Sequence, residues 1–333
     1  MATLVTGGSG VVGMHVARQL AGEGETVVAY STSGAPEHAA VTLGETTARV
    51  HFVQGNIRDF ARLAQIADEY RVEGVIHAAA LTGEAQARAR SREVFATNTG
   101  GTLNVLELAR ERKMRRVILL GSASEYGRRT DQLPITEEET NPEGMYAETK
   151  FLGHRLGQRY RALHGVEAVT VRISSCYGPH TRFNPYRKLV GNTLIAHLCR
   201  AAACCEAVVL DGGGDYPRDW TYAADTALGI CLAYRADSPR HEAYNISSGR
   251  SYKVGDVVAA LRRIEPDADV KVGAGNWADD PFQALNLRGP LDIGRASSAL
   301  GFAPRYDLDA GLREYIDWWR SIDAAPTGAK AES

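Results

Sequence analysis

Short apolar runs alternate with longer amphipathic stretches through the first half of the chain. Thr3–Thr6, Thr26–Tyr30, Val50–Val53, Gly74–Ala78, Arg116–Leu120 and Ala168–Ile173 read as buried strands, being short, apolar and rich in β-branched residues. Between them Gly10–Gly22, Asp59–Tyr70, Ser91–Arg112 and Met145–His164 carry the pattern of helices. Such alternation predicts an α/β fold, a doubly wound parallel sheet covered on both faces. After Ile173 the periodicity weakens. Residues 179–215 read as loop-rich, with Gly178-Pro179 and Asp211-Gly212-Gly213-Gly214-Asp215 as breakers. A helix over Val254–Ile264, a loop around Ala274–Asn286, a last helix near Leu308–Ser321 and a frayed end follow.

Composition narrows the class without naming it. At 333 residues the chain is long for one core, so one large or two intimately joined domains are expected. A formal charge of -2 leaves no electrostatic footprint for nucleic acid or an anionic membrane. No apolar run approaches the roughly 20 residues that span a bilayer. Met1 is followed almost at once by strand-like Thr3-Leu4-Val5, which leaves no room for a signal peptide, so a cytoplasmic protein is expected. Cys176, Cys199, Cys204, Cys205 and Cys231 have no metal-ligand spacing, and the adjacent pair is unsuited to a framework disulfide. Among the histidines, His77, His154, His164, His180 and His197 suggest no metal site either.

Thr6-Gly7-Gly8-Ser9-Gly10-Val11-Val12-Gly13 follows the first strand and opens the first helix. Gly7 permits the tight turn, Gly10 lets backbone approach a pyrophosphate, and Gly13 lets helix and strand pack closely. The N–H groups of Val11 and Val12 then face the phosphates at the positive end of the helix. A glycine triplet alone is weak; strand before and helix after make it a dinucleotide site. The second strand ends in Tyr30-Ser31-Thr32-Ser33 where such sites often carry a ribose-binding carboxylate. Ser31 and Thr32 serve either ribose, which leaves NAD or NADP open with a lean to NAD.

Tyr146-Ala147-Glu148-Thr149-Lys150 places a phenol and an ammonium one turn apart on a helix face. A phenol of pKa about 10 is a poor base at neutral pH. An ammonium about 4 Å away, at an effective dielectric of about 20, favours the phenolate by roughly 4 kcal/mol before desolvation is subtracted. The bland alternative is a pair of surface residues.

Further stretches fall in order along the chain: Gly55-Asn56-Ile57-Arg58-Asp59, His77-Ala78-Ala79-Ala80, Asn98-Thr99-Gly100-Gly101-Thr102, Ser122-Ala123-Ser124-Glu125-Tyr126-Gly127, Arg172-Ile173-Ser174-Ser175-Cys176-Tyr177-Gly178-Pro179 and Arg218-Asp219-Trp220. Together with the glycine loop and Tyr146/Lys150 they resemble the extended short-chain dehydrogenase/reductase family, also called the NAD-dependent epimerase/dehydratase family. The resemblance runs to about Arg320. It implies a catalytic triad of Ser122, Tyr146 and Lys150, with Tyr146 as proton partner of a hydride transfer. It implies cofactor contacts from Gly7, Gly10, Val11, Val12, Gly13, Ser31, Thr32, Asn56, Ile57, Ala78, Ala79, Ala80, Asn98 and Ile173. Substrate contacts are expected from Ser124, Ser175 and Arg218, whose forked donors suit a diphosphate. An ion pair of Arg218 with Asp219 or Asp225 is the plain alternative.

Departures from the family pattern matter as much. Asn56 stands where an Asp usually meets adenine, and Ser175 where many members have Asn. Family members that eliminate water carry a carboxylate where this chain has Ala123 and Ser124, so dehydration is disfavoured; Glu125 lies one place further along. A second phosphate-binding arginine is missing from Asp280-Pro281-Phe282-Gln283, with Arg182 or Arg288 as substitutes. The expected division is a dinucleotide-binding Rossmann domain over 1–178, with 216–250 returning to it. A smaller C-terminal α/β substrate-binding domain spans 179–215 and 251–322, and 323–333 form a flexible tail. The resemblance also implies a homodimer through the helices Ser91–Arg112 and Met145–His164, for which Leu103, Leu106, Leu152 and Leu156 would equally suit a core face. The expected activity is hydride transfer at a secondary hydroxyl of a sugar, nucleotide-linked as for a 4-epimerase. A dehydrogenase of a small alcohol, polyol or sugar acid and a silent dinucleotide sensor are the alternatives.

Overall fold

The computed structural model describes residues 2–130, 133–181, 192–277 and 280–323. Strands β1 (Ala2–Thr6), β2 (Thr26–Ser31), β3 (Val50–Gln54), β4 (Val72–His77), β5 (Arg116–Ser122) and β6 (Ala168–Ile173) fall where the apolar runs predict, within two residues at each end. They build one parallel sheet with the later strand Ala243–Ile246 on its edge, in the order Ala243–Ile246, β6, β5, β4, β1, β2, β3. Chain order therefore reverses between β1 and β4, which opens a crevice at their carboxyl ends.

Alternation along the strands shows why the sheet is buried on both faces. Val5, Val27, Ala29, Ile76, Ile118 and Leu120 join one core beneath the helices Val11–Gly22 and Ala223–Arg235. Leu4, Val28, Tyr30, Val75, Val117 and Leu119 join a second core under Phe60–Glu69 and Gly101–Glu111. Asp59 caps the former of these helices, its carboxylate accepting from Arg62 N at 3.0 Å. Among the described residues no helix is long and apolar enough to cross a membrane.

Two expectations need correction. The stretch Ser91–Arg112 is not one continuous α-helix: Ser91–Phe95 and Gly101–Glu111 flank a π-helical turn over Ala96–Gly100. Within the span 179–215, of which 182–191 lie outside the described residues, a helix Asn192–Ala203 and a strand Val208–Leu210 stand where loop was expected. Leu194, Ile195, Ala196, Leu198 and Cys199 are all buried, between the helices Val254–Ile264 and Leu308–Asp323. Thr193, His197 and Arg200 recur along it at helical spacing, so its amphipathic period is present in the residues, short and set between the breakers on either side.

Candidate active site

The loop from β1 into the first helix is shaped by what its glycines leave out. Gly7 sits at φ +71°, and a β-carbon there would lie 2.7 Å from the backbone nitrogen of Ala79. At Gly13 a β-carbon would collide with the Gly7 carbonyl oxygen. Gly10 differs: its β-carbon would meet only that same oxygen, at 3.4 Å, and would otherwise project into open space. Gly10 is also the helix N-cap, and no side chain caps the turn that begins at Val11 and Val12. Uncapped N–H groups beneath a bare Cα form a cradle for an anion, so the residues present fit a dinucleotide's pyrophosphate.

The remaining residues expected to line this crevice divide. Ala78, Ala79 and Ala80 leave the end of β4 beside Gly7, with Ala78 N donating to Thr6 O at 3.0 Å. Ser31 Oγ donates to Gly34 O, Thr32 is exposed beyond β2, and Asn56 Oδ1 accepts from Arg58 N within its own turn. Ile173 ends β6 opposite Ser122. Ile57, by contrast, is buried against Gly101 as core. Asn98 turns inward from the π turn: its amide accepts from Leu81 N at 2.8 Å and donates to Leu81 O and Thr149 Oγ1, each at 3.0 Å. It grips the crevice wall by its backbone.

Ser122, Tyr146 and Lys150 converge at the carboxyl end of β5. Ser122 Oγ accepts from Ser124 N at 3.2 Å and from Ser124 Oγ at 2.8 Å. Its own proton is therefore free to be donated to Tyr146, and that hydrogen bond draws the phenol's pKa down. Ser124, expected to face substrate, donates its hydroxyl proton to Ser122 and keeps its oxygen as an acceptor. Lys150 Nζ donates to Leu120 O at 2.8 Å, two residues before Ser122. Desolvation, set aside in the expected acidification of Tyr146 by Lys150, is large here: burial outweighs the Ser122 hydrogen bond and, with the nearby Glu125 carboxylate, pushes the phenol up to about 12. Burial likewise brings Lys150 down to about 8, against the pull of Glu125.

Glu125 is not placed to act on a substrate carbon. It is fully buried, accepts from the Ser122 backbone N–H at 2.8 Å and pairs with Arg172, itself only 1% exposed, at 2.8 Å. Arg172 also donates to Tyr126 and to the Glu137 carbonyl. The pair fastens the turn that presents Ser122 and Ser124. Sequence reasoning weighed Glu125 only as a displaced reagent; the signal for its real environment is the Arg172 on the neighbouring strand.

Arg218 meets Ser175, which begins the short strand just after β6. Its guanidinium donates to Ser175 Oγ at 3.1 Å, Tyr216 OH at 3.2 Å and Gln283 Oε1 at 3.3 Å, and lies over the Tyr216 and Trp220 rings. Neither suggested aspartate pairs with it. Asp219 accepts from Ser248, Thr221 and Leu291, and Asp225 from the backbone of Arg305 and Tyr306. Among the described residues Arg218 Nε is buried without an acceptor. Arg288 donates to the Gly127 and Leu285 carbonyls, and burial together with the neighbouring Arg218 charge lowers it to about 10. Two cations thus face one another with a donor to spare, the electrostatics of an anion site. Arg182 lies outside the described residues.

Residues 3–247 match the family model described as the NAD dependent epimerase/dehydratase family. The chain is 28% identical over 334 residues to a UDP-glucose 4-epimerase of Streptomyces lividans, covering 98% of this chain and 97% of that protein. To a UDP-N-acetyl-α-D-glucosaminuronate decarboxylase of Bacillus cytotoxicus it is 27% identical, with 96% and 98% covered. The crystal structure of UDP-glucose 4-epimerase from Brucella ovis in complex with NAD superposes with a TM-score of 0.80 at 27% identity, covering 96% of this chain and 98% of that one.

Proposed function

From the premise that this chain belongs to the NAD-dependent epimerase/dehydratase family, we propose that it is an NAD-dependent 4-epimerase of a nucleotide sugar. The observation that carries the reading is the convergence of Ser122, Tyr146 and Lys150 at the carboxyl end of β5, with Arg288, the neighbour of Arg218, fastened to Gly127 at the end of the same turn. Gly7, Gly10, Gly13 and the uncapped helix behind them would hold the pyrophosphate. Bound NAD supplies the hydride acceptor and a positive ring charge that favours the phenolate. Tyr146 would take the proton of the sugar's 4-hydroxyl during oxidation and return it to the same oxygen during reduction. Ser122, its oxygen held by Ser124, donates to the oxygen on which charge changes. Lys150 keeps two N–H donors for the nicotinamide ribose. Arg218 and Arg288 bind the diphosphate, with Arg288 in the role of the missing second arginine. That pair favours a nucleotide sugar over a small polyol.

Leu103 and Leu152, at 40% and 37% exposure, stand on the outer face of the packed helices Gly101–Glu111 and Met145–His164. They support a homodimer through that face, measurable by light scattering, whereas Leu106 is core and Leu156 packs against it.

Incubation with NAD and a panel of UDP-, GDP- and dTDP-sugars, followed by proton NMR at C4, tests the proposal. UDP-hexuronates belong in the panel, because a 4-ketone β to the C6 carboxylate loses CO₂ readily. The expected result is interconversion of a 4-epimeric pair without net NADH. Tyr146→Phe should lower kcat by roughly 10³ while NAD binding holds. Net NADH with a free polyol, or unchanged turnover by Tyr146→Phe, would overturn it.

A further inference from the structure

Beneath the nucleotide loop runs a buried file of hydrogen bonds whose direction is fixed by its two ends. Ala79 N–H can only donate, and it meets Thr6 Oγ1 at 3.3 Å. At the far end the Asn98 carbonyl can only accept, and Thr102 Oγ1 lies 2.6 Å from it. The single hydroxyl proton of Thr102 is committed there. Toward His77 Nε2, 3.1 Å away, Thr102 must therefore accept, and Nε2 carries a hydrogen. Nδ1 of the same ring is 2.7 Å from Thr6 Oγ1. A hydrogen on Nδ1 as well would aim two donors at that oxygen and strand the Thr6 proton in a fully buried site. With Nδ1 bare, Thr6 donates to it and every group is used.

From Asn98 the connection continues to the helix that carries the reactive side chains. Its amide holds Leu81 by both backbone atoms, and its other hydrogen goes to Thr149 Oγ1, which donates to the Tyr146 carbonyl at 2.8 Å. Thr6, His77, Asn98, Thr102 and Thr149 are all at most 5% exposed. The π turn over Ala96–Gly100 carries both the inward-facing Asn98 side chain and the carbonyl that receives Thr102.

We propose that His77, neutral and protonated on Nε2, is a positioning residue that locks the floor of the nucleotide crevice to the helix bearing Tyr146 and Lys150. It touches neither cofactor nor substrate; it fixes the distance between the surfaces that hold them. The inference rests on reading that crevice as the NAD site. Burial and the Lys150 ammonium push the imidazole down to about 3, so the ring stays neutral wherever the enzyme works.

The first test needs no substrate. Two-bond nitrogen–proton spectra of the full chain labelled with ¹⁵N-histidine should show the Nε2–H tautomer for His77, unchanged from about pH 5.5 to about pH 8.5. The second uses Thr102→Val, which keeps shape and removes the acceptor of Nε2–H. The NAD Kd should rise about tenfold and kcat should fall about tenfold, while the KM for the nucleotide sugar stays within about twofold. Thr102→Ser should restore both. An Nδ1–H or cationic pattern in the wild-type spectrum overturns the proposal, even if Thr102→Val fails to fold. So does a Thr102→Val enzyme with wild-type NAD affinity and kcat. A wild-type chain that binds no NAD would instead sink the reading of the crevice, and the tautomer would still be decided.

Discussion

Near Tyr146 the buried Glu125, Asn98 and His77 find their hydrogen bonds inside the protein, whereas Arg218 Nε and the adjacent Trp220 Nε1 are buried with no partner among the described residues. Glu125 is spent on Ser122 N–H and Arg172, Asn98 on Leu81 and Thr149, and His77 on Thr6 and Thr102. Arg218, by contrast, keeps a buried Nε without an acceptor among the described residues and stands near a second cation. One side is a closed structure that fixes geometry; the other is an open set of donors that waits for charge. A group already satisfied contributes to stability, and a group left over contributes to binding. Substitutions on the two sides should therefore fail in different assays.

The largest effect is expected from Glu125→Ala. It leaves the Arg172 guanidinium buried and unpaired and frees the Ser122 N–H, at a cost of about 3–5 kcal/mol of folding stability. Urea unfolding should show the midpoint fall with little change of slope. Activity should drop as well, since the Ser122 turn loses its anchor. A variant as stable as the parent would mean that this side is not the closed structure described.

Next comes Arg218→Met, for which the pattern should invert. Removing one of two neighbouring cations relieves their repulsion, so stability should stay within about 1 kcal/mol of the parent. Affinity for the nucleotide sugar should fall about 10- to 150-fold, the loss of one charged hydrogen-bonding group at about 1.5–3 kcal/mol. Titration calorimetry reads this directly. Arg218→Lys should not restore it, because a point charge cannot reproduce the fork that spans Ser175, Tyr216 and Gln283. Equal losses of stability and affinity would erase the contrast between the two sides.

The same contrast explains what could be read from residues alone. The sheet was legible because its strands are short, β-branched and largely buried on both faces, and Val254–Ile264 because its apolar face recurs at every turn. The glycine loop was legible because backbone crowding, as at Gly7 and Gly13, leaves no other residue possible. Ser122, Tyr146 and Lys150 come together because a strand end and a helix turn each fix one spacing. The satisfied networks were not legible: Glu125 meets Arg172 from 47 positions away and His77 meets Thr6 from 71 away. Nor was the sign of the Tyr146 shift, because burial is a property of everything packed around the phenol. Arg288 could be named as a substitute but not placed, since loops carry it to Arg218.

Gly10 tests the boundary between the two sides with the smallest expected disturbance. Its φ of -85° is open to any residue, and a β-carbon would touch only Gly7 O at 3.4 Å. Gly10→Ala should therefore leave the cofactor-free chain as stable as before or up to about 1 kcal/mol more so, through a less flexible unfolded state. Gly13→Ala, where the same methyl would strike the Gly7 carbonyl, should destabilise the chain whether or not nucleotide is added. Thermal melts of both variants with and without NAD separate the two cases. If Gly10 is kept bare for the pyrophosphate, its alanine variant melts normally alone and loses the NAD-induced rise in Tm. If that rise survives, the open space above Gly10 is not where the phosphates lie.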